Sequence, residues 1–254
     1  MARLVAAEFQ KLFTTRLWLW MLLGSVALTA LFACLAIVFG SDPDNPTPPL
    51  STAAGQRTVF SVAHGGAGPL VAVLAAAGMA GEFRHQTAST TFLATPRRGR
   101  AVLAKVAAYL LVGLGYALVC CAATVAIAVP WLAADGIDVP LTGNGIPGTL
   151  VGVVVAVALF GLIGVGLGAL LRDQVATVAG LLVYLFVVEP VVTAIPALNS
   201  WSMYLPAAAA DALTRVSQVG REFLDPWQGA VVFATYGLLL AVAGTLLTAR
   251  RDVT

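Results

Sequence analysis

Few side chains in this chain have the type and spacing that chemistry requires. A phosphate-binding loop needs glycines running directly into a lysine and a serine or threonine, and the only lysines are Lys11, after Gln10, and Lys105, after Ala104. The chain is therefore not expected to hydrolyse ATP in that way by itself. No GxSxG or HExxH occurs, and no two carboxylates lie close enough within an apolar run to share acid and base roles. The two histidines, His64 and His85, lack a partner at ligand spacing, and Cys34, Cys120 and Cys121 all fall in apolar runs. Neither a metal site nor a disulfide framework is expected, and no catalytic or cofactor-binding residue is assigned.

Two polar features remain. The first is Gly81 to Lys105, GEFRHQTASTTFLATPRRGRAVLAK, with Arg84, His85, Arg97, Arg98, Arg100 and Lys105 as cationic or titratable groups. So basic an interruption belongs on the cytoplasmic side of a membrane. Within it, Glu82 to Leu93 has no Pro or Gly and mixes Phe83, Ala88, Phe92 and Leu93 with polar residues, which reads as a short surface helix offering a docking face. Thr95-Pro96 stops it, because proline lacks the amide hydrogen and biases the preceding residue away from helix. The Arg97, Arg98, Arg100 cluster reads as a solvated loop. The second feature is Glu189-Pro190, an ionisable residue and a helix breaker inside an apolar run.

The elements that must hold these features are membrane spans. The chain is 59% hydrophobic and 10% charged with mean hydropathy +0.92, against about 25% charged in ordinary soluble domains. The expected fold is all-α: a single transmembrane domain of six helices at 17–40, 59–80, 101–132, 149–171, 175–195 and 229–249, each long enough to cross the hydrocarbon. Residues 1–16 form an interfacial amphipathic helix, with Val5, Phe9, Leu12 and Phe13 on one face and Arg3, Gln10, Lys11 and Thr14 on the other. It lies along the cytoplasmic surface and bends into the first span, with Trp18 and Trp20 anchoring the headgroup level; the alternative is that it continues into that span as one long helix.

The proline-rich 41–51 and the acidic 134–148 read as external loops, and Arg172-Asp173-Gln174 as a tight cytoplasmic turn. Residues 196–228 read as external helices, with Leu213, Val216, Val219 and Phe223 at helical spacing. His64, Gly65, Gly66, Gly68 and Pro69 form a soft patch that could kink or delay the second span, and His64 itself reads as interfacial. Gly164 and Gly168 make a GxxxG that lets another backbone approach closely, and we assign it to packing within the bundle. Both termini are placed in the cytoplasm, leaving only Arg57, Arg215 and Arg221 outside among fourteen Lys and Arg, as the positive-inside rule requires. No repeat or inverted repeat is visible, which weakens a secondary-transporter reading.

Counting from Gln174 at about 1.5 Å per residue puts Glu189 roughly 22 Å along a span that must cross about 30 Å. Pro190 is expected to break the fifth helix there. Two readings of Glu189 stay open: it points into the headgroups, or it holds the external helices through Arg215 or Arg221 and serves with Pro190 as an external gate.

Three segments, AAEFQKLFTTRLWLW, GEFRHQTASTTFLATPRRGRAVLAK and LRDQVATVAGLLVYLFVVEP, resemble the permease subunits of ABC exporters of the type-2 permease family, in the stand-alone actinobacterial style. The resemblance implies that the N-terminal segment is a connecting helix and that Glu82 to Leu93 is a coupling helix on an ATPase, with Glu82, Phe83, Arg84 and Phe92 as docking residues. It also implies a homo- or heterodimer of permeases in the cell membrane with two separate ATPase chains, which carry the ATP and magnesium. Membrane lipid is the remaining partner and nucleic acid is not one. No large external domain or fused ATPase is present, so relatives with those features are poor guides to substrate. The function expected is export of an apolar or amphipathic molecule by alternating access. The alternative is a membrane module that recruits or regulates a cytoplasmic partner without moving solute.

Overall fold

The computed structural model describes residues 1–42, 45, 47–84, 98–214 and 223–250. About 84% of the described residues are helical, and none of them lies in a strand. Among the described residues, six helical stretches are long and apolar enough to span a membrane: Leu17–Gly40, Ala53–Glu82, Gly99–Ala134, Ile146–Leu171, Gln174–Thr193 and Pro226–Leu247. The chain is a multi-pass membrane protein.

Helix α1 (Ala2–Thr14) ends where Thr15 turns extended, and α2 (Leu17–Gly40) starts two residues later. α2 buries Ser25, Thr29, Ala33 and Ile37, a row at four-residue spacing on one side. Trp20, Leu23, Leu31, Val38 and Phe39 are exposed. In a lipid environment apolar residues gain nothing by leaving the surface, so small residues do the helix-to-helix packing.

α3 (Ala53–Arg84) starts six residues before the expected 59 and runs through the His64–Pro69 patch without interruption. The patch does not delay the helix. Its glycines admit neighbours instead: a Cβ at Gly66 would collide with Thr29 of α2, and one at Gly68 with the Phe160 ring. Nor does a separate helix begin at Glu82, since Glu82, Phe83 and Arg84 form the last turn of α3. The remainder of the expected coupling helix, from His85 to Leu93 and including Phe92, lies outside the described residues.

α4 (Arg98–Ala134) and α5 (Ile146–Leu171) are also longer than the expected spans. α5 is the hub of the bundle, packing against α3, α4 and α10 (Pro226–Arg250). Gly164 and Gly168 face α3 of the same chain. A Cβ at Gly164 would strike the Ala72 carbonyl, and one at Gly168 would come within 2.9 Å of Ala76 O. At the end bearing the 134–148 loop, Gln56 donates to Asp138 O at 2.8 Å and accepts from Asn144 Nδ2 at 2.8 Å, which fixes that loop on α3.

The fifth span is not broken. α6 (Gln174–Val183) passes through one wide π turn, Tyr184–Val188, into α7 (Glu189–Thr193). In that turn the Glu189 N–H donates to Tyr184 O, five residues back, and Pro190 falls at the start of α7. A π turn inserts one residue into the helix. It accommodates the missing proline hydrogen bond without unwinding, and Glu189 keeps helical dihedrals.

The chain continues through α8 (Asn199–Ser202) to α9 (Pro206–Leu213). The apolar face expected here included Val216 and Val219, which lie outside the described residues. Burial rests on alanines instead: Ala208, Ala209, Ala210 and Ala212, with Leu213 and Thr214, are all enclosed. α9 packs on α5 and α10. At this contact Gly152 is so close to the Leu213 carbonyl that no side chain fits.

Candidate functional site

Glu8 and Lys11 stand three residues apart on one face of α1, where helical neighbours pair. Lys105 and Tyr109 are four apart on α4. On α3, Gly78 precedes Glu82 by one turn, and a Cβ at Gly78 would overlap the Tyr109 hydroxyl. The absent side chain lets α4 close on α3, so that Lys105 reaches across to the Gly78 carbonyl at 3.3 Å.

These placements close a ring of charges. Lys105 Nζ donates to Glu8 Oε2 at 2.5 Å and to Glu82 Oε1 at 3.1 Å. Lys11 Nζ donates to Glu8 Oε1 and to the same Glu82 Oε1, each at 2.8 Å. Two carboxylates and two ammoniums alternate, joining α1, α3 and α4. The Lys105 side chain is 5% exposed, Glu8 10% and Glu82 13%, whereas Lys11 is 47% exposed. Removing ions from water costs several kcal/mol each, and only opposite charges with good hydrogen bonds offset it.

Burial pushes the Glu8 carboxyl up, but the charge and hydrogen bonds of Lys105, reinforced by Lys11, outweigh it and hold Glu8 below the usual carboxylate range. Burial likewise opposes the Lys11 charge, and Glu8 and Glu82 overcome it to hold the ammonium above its ordinary range. Both members of α1 are therefore charged at neutral pH. Beside the ring is a cavity of about 500 Å³, bordered by Tyr109, Gly78, Gly81 and Gln174.

The structure thus puts Glu82 in a contact that sequence reading did not foresee. It was expected to face a partner, but its carboxylate turns inward to Lys11 and Lys105. Phe83 and Arg84 follow it in the last turn of α3. Glu8 and Lys105 were not singled out from sequence, Lys105 being read only as one more cytoplasmic cation. A signal was present: on the side carrying eleven of the expected basic residues acids are scarce, and Glu8 stands three residues before Lys11 on the helix expected there.

Glu189 is the second polar group, at the junction of the fifth span and α9. It is 3% exposed. Its Oε1 accepts the Ala208 N–H at 2.9 Å, and the Ala207 amide also acts on the carboxyl. Pro206 opens α9, so a carboxylate caps the helix end where free amides and the helix dipole favour negative charge. Glu189 therefore does hold one of the short helices, but through backbone amides. Arg215 and Arg221 lie outside the described residues. The Tyr184 phenol also interacts with the carboxyl.

A further tie fastens α9 to α3. His64 Nδ1 lies 2.7 Å from Ser61 O, and Nε2 lies 2.8 Å from Asp211 Oδ1. A carbonyl only accepts, so Nδ1 carries a hydrogen. The second contact then needs another proton, shared between Nε2 and the carboxyl. His64 is therefore engaged with α9, where the sequence suggested a merely interfacial residue. Thr149 of α5 completes the attachment by donating to Thr214 O at 2.9 Å.

Among the described residues no group of three or more His, Cys, Asp or Glu side chains could hold a metal ion. Compared with known proteins, the chain matches no family model and no curated protein.

Proposed function

We propose that this chain is the membrane-spanning permease subunit of an ATP-driven exporter, working as a homo- or heterodimer in the cell membrane. ATP binding and hydrolysis belong to separate ATPase chains, and the cargo is apolar or amphipathic. The observation that carries the reading is the closed ring Glu8–Lys105–Glu82–Lys11. Residues 85–97, which include His85 to Leu93 of the segment resembling a coupling helix, connect the end of α3, just after Glu82, to the start of α4, seven residues before Lys105. A force on that segment is delivered to α3 and α4 at points already fastened to each other and to α1.

Such fastening suits a device in which a cytoplasmic partner must move several helices together. Coupling also requires that the ATPase hold the segment differently in its two nucleotide states, because a ligand that binds both states equally shifts nothing. At the other end, α9 is wedged against α3, α5 and α10, with contacts from His64, Thr149 and Glu189. This supports its role as a closure that must shift when cargo leaves, with Glu189 and Pro190 at its hinge.

The test is co-purification of the tagged chain from its native membrane, identification of the retained proteins and an ATPase assay. A bound ATPase whose turnover responds to Glu82→Lys supports the reading. Retention of another cytoplasmic protein, with no nucleotide hydrolysis, points instead to a module that recruits or regulates a partner.

A further inference from the structure

One attachment of α9 depends on a titratable proton. His64 of α3 meets Asp211 of α9 with Nε2 2.8 Å from Oδ1, while its Nδ1 lies 2.7 Å from Ser61 O. Carbonyl and carboxylate both accept, so the pair satisfies both contacts only while it holds one proton more than a neutral imidazole and a carboxylate. Without that proton the ring has a single N–H. Kept on Nδ1, it leaves a lone pair facing the carboxylate at hydrogen-bond distance, which is repulsive. Moved to Nε2, it gives up Ser61 and exchanges the ion pair for a weaker bond from an uncharged ring. Either way the tie between α3 and α9 slackens.

The surroundings offer no substitute. Arg57, seven residues earlier on α3, donates to Asn144 O at 3.2 Å. α2, α5 and α6, which pack on α3, contain no Lys, Arg, His, Asp or Glu. The cations of α4 are Arg98, Arg100 and Lys105 in its first turns, and Lys105 reaches Glu82, about 27 Å along α3 from His64. α10 brings the Tyr236 phenol, Arg250 at its far end and, just ahead of it, the exposed Asp225. The fifth span brings the Tyr184 phenol and Glu189, which has the same sign as Asp211 and is close enough to feel it. With the proton in place His64 balances Asp211, and without it two carboxylates bear on α9. The His64 side chain is 16% exposed and that of Asp211 29%, so the proton can exchange with the medium at this end. Ionisable side chains within spans are rare and mark functional sites.

We propose that His64 and Asp211 form a proton-operated latch, which clamps α9 to α3 while the proton is bound and frees α9 to shift when it leaves as pH rises. The latch is a property of these two helices and does not depend on the exporter reading.

The experiment uses the full chain in phosphatidylcholine nanodiscs with Cys34 and Cys121 replaced. Ala210→Cys, enclosed on α9, is reacted with a water-soluble maleimide and followed by mass spectrometry. At each pH its rate is divided by that of the exposed Asp135→Cys in a second chain, so that thiol ionisation cancels. The retained Cys120, buried on α4, reports unfolding. The ratio should be low and flat from mildly acidic to neutral pH and rise about tenfold at alkaline pH, as expected for losing one hydrogen bond between charged groups, while Cys120 stays unreactive. His64→Gln and Asp211→Asn, each added to the Ala210→Cys chain, should give the raised ratio at every pH. A ratio independent of pH in the chain with His64 and Asp211 intact overturns the proposal, and so does a rise that persists in either variant. Reaction of Cys120 in parallel with Ala210→Cys means that the whole bundle opens, and it overturns the latch as well. If a variant fails to fold, the pH curve with His64 and Asp211 intact, read against Cys120, still decides.

Discussion

Glu8 and Lys105 are 97 positions apart in the sequence and 2.5 Å apart in space. Their pairing turns α1 from a surface helix that could slide along the bundle into one bolted to α4. Because Glu82 also contacts both lysines of the ring, no single pair can be treated as independent of the rest.

Lys105→Met should therefore be far more damaging than removal of an ordinary surface charge. It leaves Glu8 and Glu82 enclosed with only the half-exposed Lys11 between them. Breaking a buried pair in this way costs about 3–5 kcal/mol. Glu8→Gln combined with Lys105→Met should recover part of the loss, because one of the stranded carboxylates is gone. Thermal unfolding of the four proteins in detergent measures the coupling, and additive losses would mean that the ring does not act as a unit.

The ring also fixes a pH window. The Glu8 pKa is lowered from 4.5 in the folded protein, so its contribution is fully present above the unfolded value and is lost as pH falls through the folded one. The Lys11 pKa is raised from 10.5. Its contribution is present below that value and disappears as pH rises through the folded one. Attachment of α1 should thus be constant from mildly acidic to mildly basic pH and should loosen only below the usual carboxylate range or in strong base. Protease cutting near Thr15 reports it, and increased cutting between neutral and mildly acidic pH would contradict the assignment.

Glu82 offers a direct discrimination between an inward and an outward role. If its carboxylate serves the ring, Glu82→Gln should leave the amount of co-purified ATPase unchanged while weakening the dependence of ATP turnover on the permease. If it serves docking, the ATPase should be lost from the complex. Quantifying both in one preparation separates the two.

Side of the membrane is set by charge distribution alone, and accessible cysteines test it. With Cys34, Cys120 and Cys121 replaced, cysteines at Thr47 and Asp135 should react with an impermeant thiol reagent on intact cells, and one at Ser89 should react only after lysis. Labelling at Ser89 from outside would invert the topology.

How far the fold could be read from sequence depended on the kind of signal each element carries. α2 and α5 are uncharged runs of the right length, and composition alone places them. α3 was harder because Gly65, Gly66, Gly68 and Pro69 have poor helix propensity in water. Here their small size is what allows Thr29 and Phe160 to approach, and tertiary packing overrides propensity. The π turn before Pro190 has no sequence signature beyond the proline itself. The ring was invisible because it joins α1, α3 and α4 across long separations, whereas sequence spacing reports only neighbours within one helix. α9 was legible only in part: Leu213 of the expected apolar set is buried, but PAAAADAL has no apolar stripe, since alanine fits either face.

That last element gives the sharpest packing test. α9 reaches its place only because Gly152 of α5 has no side chain where the Leu213 carbonyl sits. The obstacle is backbone, so it cannot rotate away as a side-chain tip could. Gly152→Ala must push α9 outward and strain its other attachments, the Thr149 bond to Thr214 O and the His64 contact with Asp211. Overpacking of this kind costs about 1–3 kcal/mol. Gly180→Ala is the matched control. It adds the same methyl group inside a helix, where alanine is favoured over glycine by about 1 kcal/mol, and it meets nothing within 4 Å. Thermal unfolding should therefore shift downward for Gly152→Ala and stay level or rise for Gly180→Ala. A cysteine at Ala210, enclosed in the intact protein, should become reactive only in the first variant. Equal stability of the two, with Ala210→Cys unreactive in both, would mean that α9 does not press on Gly152.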